Sequence, residues 1–149
     1  LLTSLQTMSD GFLWLLFTDA CMAGVILSVQ LVVYPGFSYF DKPGLDRWHR
    51  RYTRNISLLV VPLMSVQLLG GFYWLFVHPG MASGVYTFLV CLFGGITFRT
   101  FAPLHRRIGQ GVADQRDLSL LVSRNWYRTV LWLLLFGWHL SVFVGWLPR

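Results

Sequence analysis

Four apolar runs, each about as long as a bilayer core is thick, constrain this 149-residue chain more than any other feature. A hydrocarbon layer of about 30 Å takes roughly 20 residues of helix, and runs of that length fall at 11–34, 56–77, 84–102 and 127–147. The first, GFLWLLFTDACMAGVILSVQLVVY, holds one charged residue, Asp19. The second, ISLLVVPLMSVQLLGGFYWLFV, holds none and ends at His78-Pro79-Gly80, a breaker cluster that demands a tight turn. The third carries Arg99 near its end and is expected to halt at Pro103; the fourth carries Arg128 at its start and His139 within. With 55% hydrophobic and only 12% charged residues, about half the charged share of a soluble domain, the chain has too little charge to cover itself in water. In lipid, every backbone polar group must be satisfied within the span, which helices achieve. The reading is therefore all-α: a single transmembrane domain over 1–149, an integral membrane four-helix bundle of two antiparallel hairpins with helical extensions on the cytoplasmic side.

A secretory leader is the competing reading of the first run. The apolar stretch 11–34 exceeds the length of a leader's hydrophobic core, and no basic residue precedes it, so we read it as a span.

Charge sets the orientation. Lys42, Arg47, Arg50, Arg51 and Arg54 lie between the first two runs; Arg106, Arg107, Arg116 and Arg124 lie between the last two, with Arg99 and Arg128 at the adjoining ends. Four spans put these loops on one side, so all but Arg149 of the 12 basic residues face one compartment, which the positive-inside tendency makes the cytoplasm. Both termini and the 78–83 turn then face outward, as in a multi-pass protein of a bacterial inner membrane. The basic-aromatic stretch RWHRRYTRNISLLVVP (47–62) reads as a juxtamembrane cuff for anionic lipid headgroups, worth about 1 kcal/mol per arginine, with Trp48 and Tyr52 at the interface. The lipid bilayer takes up these charges, and nucleic acid is not an expected partner. Pro43 suits the first turn of a helix, so 43–77 is expected to be one helix bent at Pro62. Arg54-Asn55 opens the second run after Pro35, and Arg124-Asn125 opens the fourth after Pro103 at nearly the same spacing, a faint internal repeat.

Little else carries chemistry. Cys21 and Cys91 fall inside spans, as small buried apolar residues do, and no CxxC, HExxH, GxSxG or phosphate loop occurs. No catalytic residue and no metal site are expected. Polar residues inside the membrane are costly enough to need a reason, and three stand out: Asp19, Gln30 and His139. Asp19 lies as far inside Gly11 as His139 lies inside Leu147, so at a rise of about 1.5 Å per residue both are about 12 Å deep and can meet. Gln30 follows Asp19 by close to a whole number of helical turns, as His139 follows Arg128, so each pair shares a helix face. Haem needs axial ligands at matched depth; His78 is at the rim, His49 and His105 are cytoplasmic, and only His139 is inside, so no cofactor is expected beyond a contact with haem or pigment. A second constellation gathers at the cytoplasmic mouth: His49, Tyr52, Asn55, Arg99, His105, Asn125 and Arg128. Within it, Arg99 and Arg128 lie inside the apolar boundary, where they are placed to clamp an anion. Gly70-Gly71 and Gly94-Gly95 are expected to let the second and third helices approach closely.

The order of YPGF (34–37), RWHRRYTRNISLLVVP, APLHRRIGQG (102–111) and SRNWYRT (123–129) resembles small bacterial four-helix membrane proteins of the anthrone-oxygenase-like family. The resemblance implies the four-helix fold and, for some members, a cofactor-independent oxygenase acting on polycyclic aromatic substrates. It supplies no catalytic set for this chain. Two functions follow: a non-catalytic accessory subunit of a larger membrane complex, packing against other membrane protein subunits or hydrophobic pigments, or an oxygenase or hydrophobic-ligand-binding protein using the polar interior.

Overall fold

The computed structural model describes residues 2–112 and 114–146, and the side chains of all of these except 2–10, 38, 42, 115 and 146. Helix α1 (Leu2–Ser28) continues through a π-helical turn (Val29–Val33), a single α turn, α2 (Tyr34–Gly36), and a 3-10 turn (Phe37–Tyr39); then follow α3 (Lys42–Val77), α4 (Met81–Gly109) and α5 (Gln115–Trp146). Four stretches are long and apolar enough to cross a membrane: Gly11–Gly36, Pro43–Val77, Met81–Gly109 and Arg116–Gly145. The fold is a multi-pass helical bundle, with no strand among the described residues.

Local chemistry explains most of the helix ends. Asp41 caps α3, its Oδ1 accepting the Gly44 N–H at 3.1 Å, and Pro43 occupies the first turn, where its missing N–H costs nothing. At the start of α4 the Ser83 hydroxyl accepts the Gly80 N–H at 3.1 Å and donates to the His78 carbonyl at 2.8 Å. Asp114 and Asp117 cap α5 reciprocally: the Asp117 N–H donates to Asp114 Oδ1 at 2.8 Å and the Asp114 N–H to Asp117 Oδ2 at 3.3 Å. Helix α4 closes with Gly111 at φ 70°, a left-handed conformation that only glycine adopts without strain.

One expectation needs correcting. Pro103 does not stop the third helix, which runs on to Gly109. One lost backbone bond at the polar end of the span is tolerated there, and Arg106 and Arg107 in the last turn complement the helix dipole. Helix α5 begins at Gln115, before the apolar run that opens at 127, with its reciprocal cap upstream in the polar segment; it is one of the helical extensions expected on the basic side. Leu147, the expected end of the fourth run, is outside the described residues.

The helices pack in the cyclic order α1, α3, α4, α5. Helix α1 is the most enclosed, with 44% of its apolar window buried against 11% for α3. Two apolar cores divide the length of the bundle. The core nearer the Pro79 turn is built on Phe12, Met22, Trp74, Tyr86, Phe93, Trp132 and Leu135; the core at the basic end is built on Val29, Tyr34, Phe37, Phe101, Leu104, Ile108 and Leu121. The close approach of α3 and α4 is at Gly71, where an added Cβ would sit 3.2 Å from the Tyr86 ring. Gly94 meets the end of Met64 on α3 at 3.5 Å and Gly95 faces open space, so of the four glycines expected to bring these helices together it is Gly71 that sits at the tightest contact between them.

Candidate functional site

Polar side chains converge at two levels of the bundle. At the level nearer the turn, each of the four long helices supplies one. Asp19 on α1 is 1% exposed. Its Oδ1 accepts from Gln67 Nε2 on α3 at 2.7 Å and from the Tyr86 hydroxyl on α4 at 2.9 Å, and its Oδ2 is 2.5 Å from His139 Nδ1 on α5. Three donors on one carboxylate offset much of the cost of taking it out of water. Aromatic rings close around His139: Phe12 edge-on at 4.1 Å, Tyr86 at 5.0 Å and Trp74 stacked at 5.8 Å between centroids. Its Nε2 has no polar partner. The arrangement crosslinks all four helices and wedges the imidazole among rings.

Asp19 and His139 thus face each other, while Gln67 and Tyr86 were not singled out in the sequence. Gln67 is the one amide in an otherwise apolar run, a signal that could have been used. Tyr86 stands close to the start of its span, where tyrosine ordinarily belongs to the interfacial belt, so nothing in the sequence marked it. Gln30 bonds neither to this cluster nor to Arg128. Its Oε1 accepts from Asn125 Nδ2 at 2.7 Å, both residues being buried. Asn125 therefore leaves the mouth constellation, and its counterpart in the faint repeat, Asn55, is exposed on α3.

At the basic end a cavity of about 480 Å³ opens between α3 and α4, with α1 and α5 behind it. The π turn prepares its back wall. The Tyr34 N–H reaches Val29 O, five residues back, and this extra residue per turn precedes Pro35, which lacks an N–H. Tyr34 is held there, 1% exposed. Its hydroxyl lies 3.5 Å from His105 Nε2, with Tyr52 and the Arg128 guanidinium nearby. His105 Nδ1 is 3.0 Å from His49 Nε2, His49 Nδ1 is 3.5 Å from Thr53 Oγ1, and Thr53 donates to the His49 carbonyl at 2.9 Å.

The 3.0 Å contact between His49 Nε2 and His105 Nδ1 needs one of the two nitrogens to be without its proton, so the imidazoles are not both charged. The positive charge of the cavity therefore resides chiefly in its arginines. Arg50, Arg54 and Arg106 line it with Arg128, and none of its lining residues is acidic. Arg128 also sits over the Phe101 ring at 4.4 Å. Its Nε has no partner, and among the described residues no carboxylate pairs with it; the carboxylates in contact with basic side chains there are Asp117, with Arg107, and Asp19, with His139.

Of the seven mouth residues, His49, Tyr52, His105 and Arg128 line the cavity. Arg99 is exposed and does not, so the expected Arg99–Arg128 clamp is not formed. Tyr34, Arg50, Arg54 and Arg106 take part without having been picked out individually, since a juxtamembrane arginine looks the same in sequence whether it faces lipid or a cavity. Trp48 stacks on Tyr52 at 5.1 Å with Phe40 beyond it at 5.4 Å, forming an aromatic ledge beside the mouth. Among the described residues, no three His, Cys, Asp or Glu side chains gather in a way that could hold a metal ion. Comparison with protein-family models, curated proteins and solved structures finds no match to this chain.

Proposed function

We propose that this chain is a hydrophobic-ligand-binding protein of a bacterial inner membrane, taking an amphipathic molecule from the cytoplasmic leaflet into the cavity between α3 and α4. The observation that supports the reading is the cavity itself. Its 480 Å³ is in the range of small-molecule sites, about 300–1,000 Å³, which join apolar walls to a few placed polar groups. Val60, Val61, Met64 and Phe98 form the apolar side, and Tyr34, Tyr52, His49, His105 and Arg128 the polar one. Exposed Val61 and Phe98 carry the apolar side to the lipid-facing surface, a route for a ligand that never leaves the bilayer. The orientation rests on the basic loops: cysteines introduced at Asp114 and Met81, with Cys21 and Cys91 replaced, should label from opposite faces, and labelling from one face would refute it. Gentle extraction followed by native mass spectrometry tests the binding, with one amphiphile per chain expected and a ligand-free chain the contrary result.

A second reading, an accessory subunit of a larger membrane complex, is favoured by the sparse burial of α3. Its surface carries Leu58, Leu69, Phe72 and Phe76, all more than half exposed. Co-migration with a larger assembly would support it, and the two readings are compatible. The oxygenase alternative stands on the family resemblance alone.

A further inference from the structure

Resting on the ligand-binding reading above, we infer that the molecule in the cavity is a membrane lipid with an oxyanion head, a phosphate or carboxylate, held at Arg128. Four arginines and no acidic residue line the cavity. With its two histidines not both charged across their 3.0 Å contact, the cavity carries positive charge from its arginines and no acidic lining residue to compensate it. The most exposed of these arginines, such as Arg54, can reach any nearby headgroup by snorkelling. Arg128 is differently placed. It projects from α5 behind the cavity, with the face of Phe101 on one side and the Tyr34 hydroxyl, itself committed to His105, on another. An enclosed guanidinium without a carboxylate is costly within a membrane protein; Arg128 lines the cavity, and its buried, unpartnered Nε shows that the protein itself does not satisfy the group fully. Guanidinium suits oxyanions because its donors are arranged in a fixed planar fork.

Depth points to a lipid as the source of the anion. From Arg128 to Gly145, the far end of its apolar window, the helix rises about 26 Å. That puts Arg128 just inside the basic boundary of a hydrocarbon core about 30 Å thick, where the head of a lipid meets its chains. From there Ser57, Val60, Val61 and Met64 continue along α3 toward the bilayer centre, a track for an acyl chain. A neutral quinone or polycycle would use the tyrosines and histidines but would leave Arg128, the arginine least able to reach a headgroup by itself, unanswered. A free anion would leave the apolar track empty.

The full chain, stripped of lipid in an uncharged detergent, is titrated with dioleoyl phosphatidic acid, dioleoylglycerol, oleate and inorganic phosphate, with bound stoichiometry read by native mass spectrometry. Phosphatidic acid should bind one per chain, about tenfold or more tighter than dioleoylglycerol; oleate should compete with it, and millimolar inorganic phosphate should not. Arg128→Gln should remove about tenfold of that affinity, while Arg124→Gln, the same charge change at an exposed position of the same helix, should leave it unchanged. Charge selectivity in the unaltered protein tests the inference even if Arg128→Gln fails to fold. Equal binding of dioleoylglycerol and phosphatidic acid overturns the oxyanion head and leaves the cavity reading intact. Displacement by inorganic phosphate overturns the lipid source. Equal losses in the Arg128 and Arg124 variants overturn the site, and no bound amphiphile of any charge overturns the ligand-binding reading itself.

Discussion

The two polar levels of this bundle are built from similar residues and differ in what they leave open. Near the turn, Asp19, Gln67, Tyr86 and His139 come one from each long helix, and the one carboxylate is met from three sides at 2.5–2.9 Å, although His139 Nε2 and Gln67 Oε1 stay without partners. At the basic end, Tyr34, His49, His105 and Arg128 also come one from each spanning segment, yet a cation remains without a counter-ion beside a 480 Å³ cavity. A closed polar cluster specifies how helices pack, whereas an open one with excess charge awaits a ligand. Polarity inside a membrane bundle is thus not by itself a sign of function; the sign is a charge without a counter-ion next to space.

The largest expected effect tests the closed level. Asp19→Ala strands His139, Gln67 and Tyr86 together and should destabilise the bundle by about 3–5 kcal/mol, read by chemical or thermal unfolding in detergent. Adding His139→Leu should recover part of that loss. Additive effects of the two changes would show that the residues do not support each other. Next in size, Gly71→Val would drive side-chain atoms into the Tyr86 ring, which an added Cβ alone would approach to 3.2 Å, and should cost about 1–3 kcal/mol. The same change at Gly95, beside open space, should cost less, and equal losses at both glycines would contradict the close approach.

The closed level was largely legible in the sequence because its logic is one of depth. Asp19 and His139 could be matched by counting residues from the ends of their runs, and a charge in a span must find a partner. Gln67 was overlooked as a lone amide, and Tyr86 was hidden by the habit of tyrosine to mark interfaces. The open level was legible only in part. Counting brought Arg128 to the right depth but paired it with Arg99, because helix rotation at the boundary depends on how α4 continues past Pro103 to Gly109. Nor does a sequence pattern mark the π turn that holds Tyr34 against His105; it depends on how the chain accommodates Pro35 among its neighbours.

Smaller effects are expected at the open level. Tyr34→Phe removes the hydroxyl that links Arg128 to the imidazoles and should cost about 1 kcal/mol of stability, with a larger proportional loss of ligand affinity. If stability falls by as much as in Asp19→Ala, the level is a structural crosslink like the other. Least of all, Arg99→Gln and Asn55→Ala, both exposed and off the cavity, should stay within about 0.5 kcal/mol and leave ligand binding unchanged.

The contrast between a closed and an open level is tested most directly by native mass spectrometry of the chain extracted from its own membrane, alongside two variants. Ser57→Trp places bulk on the cavity wall, and the Asp19→Ala, His139→Leu double variant empties the closed level. The account predicts one amphiphile bound to the unaltered chain, retained by the double variant under conditions where it stays folded and lost from Ser57→Trp. An amphiphile that survives Ser57→Trp and disappears from the double variant would contradict it, and would move the ligand site to the level where Asp19 meets His139.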